Sequence, residues 1–165
     1  MENLVYAIVL LPLIGFVING LFGKRLPKAL VGGLATLVVF AAFLISVSIF
    51  IGFPADGTPV IVKAFEWFTI GGIQVNFGFQ IDQLSLMMMM IVTGIGSLIH
   101  LYSIGYMSHD KGFYKFFTYL NLFIFSMLLL VMGSNYLILF IGWEGVGLCS
   151  YLLIGFWYEN TEYGK

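Results

Sequence analysis

The stretch Y-L-I-L-F-I-G-W-E-G-V-G-L-C-S-Y-L-L-I-G-F-W-Y, from Tyr136 to Tyr158, decides how this chain is read. As a helix it is long enough to cross a hydrocarbon core of about 30 Å. One ionisable residue, Glu144, sits two or three residues from its middle. An unpaired carboxylate at that depth costs several kcal/mol, so intramembrane acids usually face a bundle interior and mark ion or proton paths.

The composition around this stretch agrees with a membrane setting. Of 165 residues, 61% are hydrophobic and 9% charged, against roughly 25% charged in a soluble domain. There is too little polarity here to cover a water-facing surface. A formal charge of −1 argues against nucleic acid as a partner, since that would need a basic patch. Cys149 is the only cysteine, which excludes a disulfide framework, a zinc knuckle and an iron–sulfur motif on these residues. Glu2 stands where a cleavable signal would carry basic residues, and the first apolar run leads into Lys24-Arg25. That run is read as a retained first span.

Five segments reach spanning length, over about 4–22, 29–51, 82–107, 113–132 and 136–157. Pro12 and Asn19 lie in the first; a kink at Pro12 is tolerable because neighbouring helices can satisfy the freed carbonyl. Gly32, Gly33, Ala35, Ala41 and Ala42 give the second small packing surfaces. The third is longer than needed, which suggests tilt or an end projecting into the interface. Between the second and third, Pro54, Asp56-Gly57 and Pro59 are turn residues. Alternating apolar and polar residues then flank Gly71-Gly72 and predict a β-hairpin, with an amphipathic interfacial segment as the alternative. Phe65, Trp67 and Phe68 suit the headgroup region. The expected fold is an all-α membrane protein of about five transmembrane helices, with a β-hairpin-like extramembrane loop between helices 2 and 3. It forms a single membrane domain over 1–165.

Orientation follows from Lys and Arg. One side carries Lys24, Arg25, Lys28, Lys111, Lys115 and Lys165, the other only Lys63. That asymmetry puts the basic side in the cytoplasm, the N-terminus outside and the C-terminal end inside.

Glu144 is the first candidate for chemistry, as a proton-binding group. On a helical wheel its face comprises Leu137, Phe140, Ile141, Gly147, Leu148, Tyr151 and Gly155. Such surroundings disfavour a charge unless a cation approaches from another helix. Gly142, Gly145 and Cys149 form the opposite face, suited to close helix contact. The blander reading is a structural acid that pins helix register. In the third span Thr93, Ser97 and His100 share one face, with Gly96 and Ser103 beside it. His100 is a candidate proton relay, since histidine titrates near neutrality; the alternative is a ring satisfied by backbone or hydroxyl partners. Asp82 reads as a helix N-terminal residue interacting with the dipole, helped by Ser85. The Met87 to Met90 run reads as packing material, Lys111 and Lys115 as topology and snorkelling residues, and Asn121 and Ser126 as helix glue.

The run L-F-I-G-W-E-G-V-G-L-C-S-Y-L-L-I-G-F-W-Y, Leu139 to Tyr158, resembles the fifth-helix signature of the largest antiporter-like subunit (subunit L, or subunit 5) of proton-pumping NADH:quinone oxidoreductase, respiratory complex I. I-D-Q-L-S-L-M-M (Ile81 to Met88), V-T-G-I-G-S-L-I-H-L-Y-S-I-G-Y-M (Val92 to Met107) and F-F-T-Y-L-N-L-F-I-F-S-M-L-L-L-V (Phe116 to Val131) are similar to the same subunit. The large subunit of multisubunit cation/proton antiporters shares the scaffold, but typically reads W-E-L-T-S where this chain has Trp143-Glu144-Gly145-Val146-Gly147.

The resemblance implies that Glu144 is the family's fifth-helix glutamate, paired with a lysine on a seventh helix, and that its charge couples to proton uptake along a hydrated axis. It implies that His100 matches a third-helix histidine. It implies no cofactor on this chain, with NAD, FMN, iron–sulfur clusters and quinone on partner subunits. Expected partners are the other membrane-arm subunits of complex I, the lipid bilayer and protons. A bacterial plasma membrane is the expected site, ahead of the mitochondrial inner membrane. Family members have well over a dozen spans, so the chain is expected to be an N-terminal portion of the subunit. Two rival readings stay open: the antiporter subunit, and a non-conducting assembly module of the membrane arm in which Glu144 only anchors helices.

Overall fold

The computed structural model describes residues 2–54 and 57–157; Asp56 of the expected turn, Tyr158 and Lys165 lie outside them. The described elements run α1 (Glu2–Phe22), α2 (Lys28–Ile51), β1 (Val60–Ile70), β2 (Ile73–Ile81), α3 (Gln83–Tyr106), α4 (Phe113–Met132) and α5 (Tyr136–Ile154). All five helices are long and apolar enough to cross a membrane. The helices pack α1 on α2, α2 on α3, and α4 on α1, α3 and α5.

Beside an apolar core, these helices bury polar groups and leave large apolar side chains outside. His100, Asn19, Asn121, Thr93 and Ser46 are wholly buried, while Leu37, Leu98, Leu21 and Ile154 stand exposed. In hydrocarbon the outward surface gains nothing from being polar, and polar side chains find partners only within the bundle, on their own helix or a neighbouring one. Small residues set the seams. Gly15 lies against Asn121 and Val38, Gly32 against Ile104 and Phe113, and Gly96 against Ile124. Most of the expected small surface of the second span is used, since Gly32, Ala35 and Ala42 are buried, but nothing lies within 4 Å of a Cβ built on Gly33.

The segment between α2 and α3 is the predicted hairpin. Gly71 and Gly72 have φ of +57° and +87°, the two left-handed residues a tight two-residue turn needs. The strands pair antiparallel, with Phe65 opposite Phe77 and register shifts between Lys63 and Phe65 and between Glu66 and Phe68. The hairpin is not a free loop. Val62, Phe79 and Ile81 are buried in the main core with Val5, Met89 and Met132. Phe79 bridges Gly133, Ser134 N donates to Gly78 O, and Asn135 Nδ2 donates to Asn76 O at 2.7 Å. Asn135 Oδ1 meanwhile accepts from Leu137 N and Ile138 N, capping α5. One asparagine thus ties the hairpin to the start of the helix that carries Glu144.

Asp82 is the N-cap of α3. Its Oδ1 accepts from Ser85 N at 2.8 Å and Ser85 Oγ accepts from Asp82 N at 2.7 Å, a reciprocal capping box. Hydrogen bonds donated to the carboxylate, first that from the Ser85 backbone and among the others that from Gln80 Nε2, hold the Asp82 carboxyl below the usual carboxylate range. Its contribution to stability is therefore fully present above the unfolded value of about 3.9 and is lost as pH falls through the lower, folded value. Asp82→Ala should cost about 1 kcal/mol. Asp82→Asn should keep the cap and flatten the acid limb of the melting-temperature profile; an unchanged acid limb would contradict this assignment.

One span boundary is corrected. The fifth helix ends at Ile154, not 157, with Gly155 as its cap. Phe156 turns off the axis to meet Phe116 edge-on at 5.4 Å, and Trp157 Nε1 donates to Asp110 Oδ2 at 2.8 Å. The apolar run continues past the helix because its last aromatics pack on the start of α4 and on the α3–α4 connection.

Candidate functional site

Glu144 lies one residue from the midpoint of α5, so shortening the helix brings the carboxyl closer to mid-span. It is exposed, together with Leu137, Phe140, Leu148 and Tyr151 of the predicted face; Ile141 alone of that set packs at the core's edge. The face is open to whatever lies beside α5, and α1 to α4 do not cover it. Among the described residues no cation pairs with Glu144. The ion pair there is Lys63–Glu66, on the hairpin.

The reason Glu144 points away is the opposite face. Ile138, Gly142 and Cys149 are buried, and α5 seats on α4 through them. A Cβ on Gly142 would overlap the backbone N of Leu130, lie 2.7 Å from its Cα and 2.9 Å from Ser126 O. A Cβ on Gly145 would lie 2.5 Å from Ser126 Oγ. The small-residue contact face read from the sequence is thus the one used. Gly147 belongs to neither contact: it is exposed, with nothing within 4 Å of its built Cβ.

His100 is in a different environment. It is wholly buried, with Nδ1 2.7 Å from Gly96 O and Nε2 3.1 Å from Asn121 Oδ1 on α4. The stripe beside it is buried too, and its hydroxyls turn back on their own helix: Thr93 Oγ1 donates to Met89 O and Ser97 Oγ to Gly94 O. The structure does not bring His100 and Glu144 together. α4 packs on both α3 and α5, holding Asn121 toward His100 and Ser126 and Leu130 toward α5. Asn121, read from the sequence as helix glue, does join α4 to α3; what the sequence does not reveal is that its partner is His100.

At the basic end a groove of about 1830 Å³ opens between the α1–α2 loop, the α3–α4 loop and the end of α5, lined by Lys24, Lys28, Lys111, Lys115, Tyr114 and Trp157. Neither Glu144 nor His100 lines it. Lys28, counted above only for its charge, also braces the structure. Its Nζ donates to Ser108 O and Asp110 O at 2.7 and 2.9 Å and stands 5.7 Å from the Phe113 ring centre.

Comparison with known proteins places these features. Residues 67–117 match the family model described as NADH-ubiquinone oxidoreductase (complex I), chain 5 N-terminus. The chain is 45% identical over 164 residues to NADH-quinone oxidoreductase subunit L of Rickettsia felis, covering 99% of this chain and 25% of that protein. It thus spans about a quarter of the length of the curated relatives it matches. Among solved structures, the Mrp complex from Dietzia sp. DQ12-45-1b contains a chain similar at a TM-score of 0.72 and 26% identity, covering 92% of this chain and 16% of that one. The archaeal membrane-bound sulfane sulfur reductase shares the fold, at a TM-score of 0.83 and 16% identity over 99% of this chain and 32% of that one.

Proposed function

We infer, because the chain belongs to the subunit L/chain 5 family of NADH-quinone oxidoreductases, that it takes part in proton translocation in the membrane arm of such a complex, with Glu144 as the proton-binding group. The observation that carries this reading is the place of Glu144: mid-span, on the face of α5 left open by α1 to α4. A carboxyl that meets no cation among the described residues is available to a cation on a neighbouring helix. Charge on that pair then decides whether the carboxyl holds a proton. The partner implied by the family resemblance is a lysine on a seventh helix.

Electron transfer from NADH to quinone belongs, in this reading, to other subunits carrying FMN, iron–sulfur clusters and the quinone site. This chain supplies the switchable acid and the part of the membrane scaffold that holds it. The basic groove faces the cytoplasm and the hairpin the outer side of a bacterial plasma membrane, following the Lys and Arg asymmetry. The single membrane domain over 1–165 is the N-terminal part of the subunit. His100, held within the bundle, is a second proton-binding candidate.

The similarity to a chain of the Mrp complex favours one other reading, a subunit of a cation/proton antiporter. Gly145-Val146-Gly147 after Glu144 speaks against it, and sodium-dependent proton movement in vesicles would speak for it. The test of the main reading is Glu144→Gln in the assembled complex, with proton translocation measured against NADH oxidation. Uncoupling or loss of both supports it; unimpaired pumping with normal assembly overturns it.

A further inference from the structure

His100 is held from two sides by oxygen: the Gly96 carbonyl at Nδ1 and Asn121 Oδ1 at Nε2. Both side chains are wholly buried, and the Phe117 ring lies 6.1 Å from the imidazole. A neutral imidazole has one N–H and one bare nitrogen. The Gly96 carbonyl can only accept, so a neutral ring places its proton on Nδ1 and leaves Nε2 bare. A bare nitrogen needs a donor. Asn121 has one on the other arm of its amide: Nδ2, which is buried and has no hydrogen-bond partner among the described residues. Rotating the amide by half a turn brings Nδ2 to Nε2. A doubly protonated ring reverses the demand, because both nitrogens then donate and Oδ1 must face the ring, as it does in this structure.

We propose that Asn121 is a positioning residue for His100, its side-chain amide turning with the charge of the ring: Oδ1 toward the imidazolium, Nδ2 toward the neutral imidazole. The step is a proton binding. Nε2 forms an N–H bond with a proton released from hydronium, water is left behind, and nothing is oxidised or reduced. The helices packed round the ring bring no competing acid. α2 carries only Lys28 as a titratable group, at its first residue; α4 carries Tyr114, Lys115 and Tyr119; α3 itself adds Tyr102 and Tyr106, which are exposed. An amide suits this role because it offers donor and acceptor on one rotor without adding a charge to a buried site. α4 also seats α5 through Ser126 and Leu130, so the rotor stands on the helix that positions Glu144.

The proposal deepens the proton-translocation reading and rests on it for its use, but the pair is tested by itself. Histidine and asparagine side chains would be isotope-labelled in the assembled complex in lipid, and their nitrogen signals followed from about pH 5 to 8. His100→Gln and Asn121→Leu identify the two residues' signals. The expected result is that the ring passes from one protonated nitrogen to two, that the Asn121 amide signal moves with the same midpoint, and that it stays still in His100→Gln. Asn121→Asp keeps an acceptor and removes the donor; it should give a doubly protonated ring at neutral pH, and it serves where the leucine variant fails to assemble. An amide signal that does not move while the ring takes its second proton overturns the proposal. So does a ring that stays singly protonated over the whole range. Pumping is read separately: unimpaired pumping in Glu144→Gln would remove the translocation reading and leave these signals as they are.

Discussion

Glu144→Gln is expected to lower proton translocation by about 10²-fold or more, the scale on which removing a positioned proton-transferring group acts, while the complex still assembles. The substitution keeps the shape and a hydrogen-bonding amide, and it removes the carboxylate. Since an ionised carboxylate in hydrocarbon costs more than a neutral amide, the variant gives α5 no reason to unfold. The contact of α5 with α4 is also untouched, because Glu144 lies on the other face. A loss of pumping therefore cannot be charged to misfolding. Glu144→Asp, which keeps the acid one methylene nearer the backbone, should retain part of the activity. Equal pumping in Glu144→Gln and the parent would instead favour a scaffold in which the residue only anchors helices, and that outcome needs no more than vesicles and a pH-sensitive dye.

Gly142→Val is expected to detach α5 from α4. Even the first added atom would overlap the Leu130 backbone N and stand close to Leu130 Cα and Ser126 O; these are backbone atoms that no rotamer change can move aside. Overpacking of this kind costs about 1–3 kcal/mol and occasionally more. Gly142→Ala should fall in that range, although alanine is intrinsically the better helix former by roughly 1 kcal/mol. Valine, with two further methyl groups, should exceed it. α5 has α4 as its principal support among the described elements, so Glu144 would lose its position with it. The readouts are the yield of intact complex and its melting temperature. Gly147→Ala is the control: with nothing within 4 Å of its Cβ, it should leave both unchanged. Equal loss in the two variants would show that general helix effects, not the α4 contact, set the result.

The large features are legible in the residues alone. Span number, the two-residue Gly71-Gly72 turn, the capping role of Asp82 with Ser85, and the division of α5 into a small face and a Glu144 face all follow from local periodicity and composition, which a helix or hairpin expresses within a few residues. The end of α5 is not legible in this way, because Phe156 and Trp157 are as apolar as the helix before them. Only their partners, Phe116 on α4 and Asp110 on the α3–α4 connection, decide that they leave the axis. The use of the α2 glycines is hidden for the same reason. Gly32 and Gly33 are neighbours in one small-residue stretch, and only the positions of Ile104 and Phe113 decide that the first meets a neighbour and the second does not.

By itself, then, the sequence determined a five-span membrane chain, its charge asymmetry and an acid at mid-depth, because these depend on residues near one another. The tertiary structure alone decided that Asn121 faces His100, that Asn135 joins the hairpin to α5, and that Lys28 braces the α3–α4 loop. Those partners lie 21, 59 and about 80 residues apart in sequence. Their meeting depends on how far each helix is turned and shifted against the next. That is settled by the packing of many small residues at once, and no single stretch of chain encodes it.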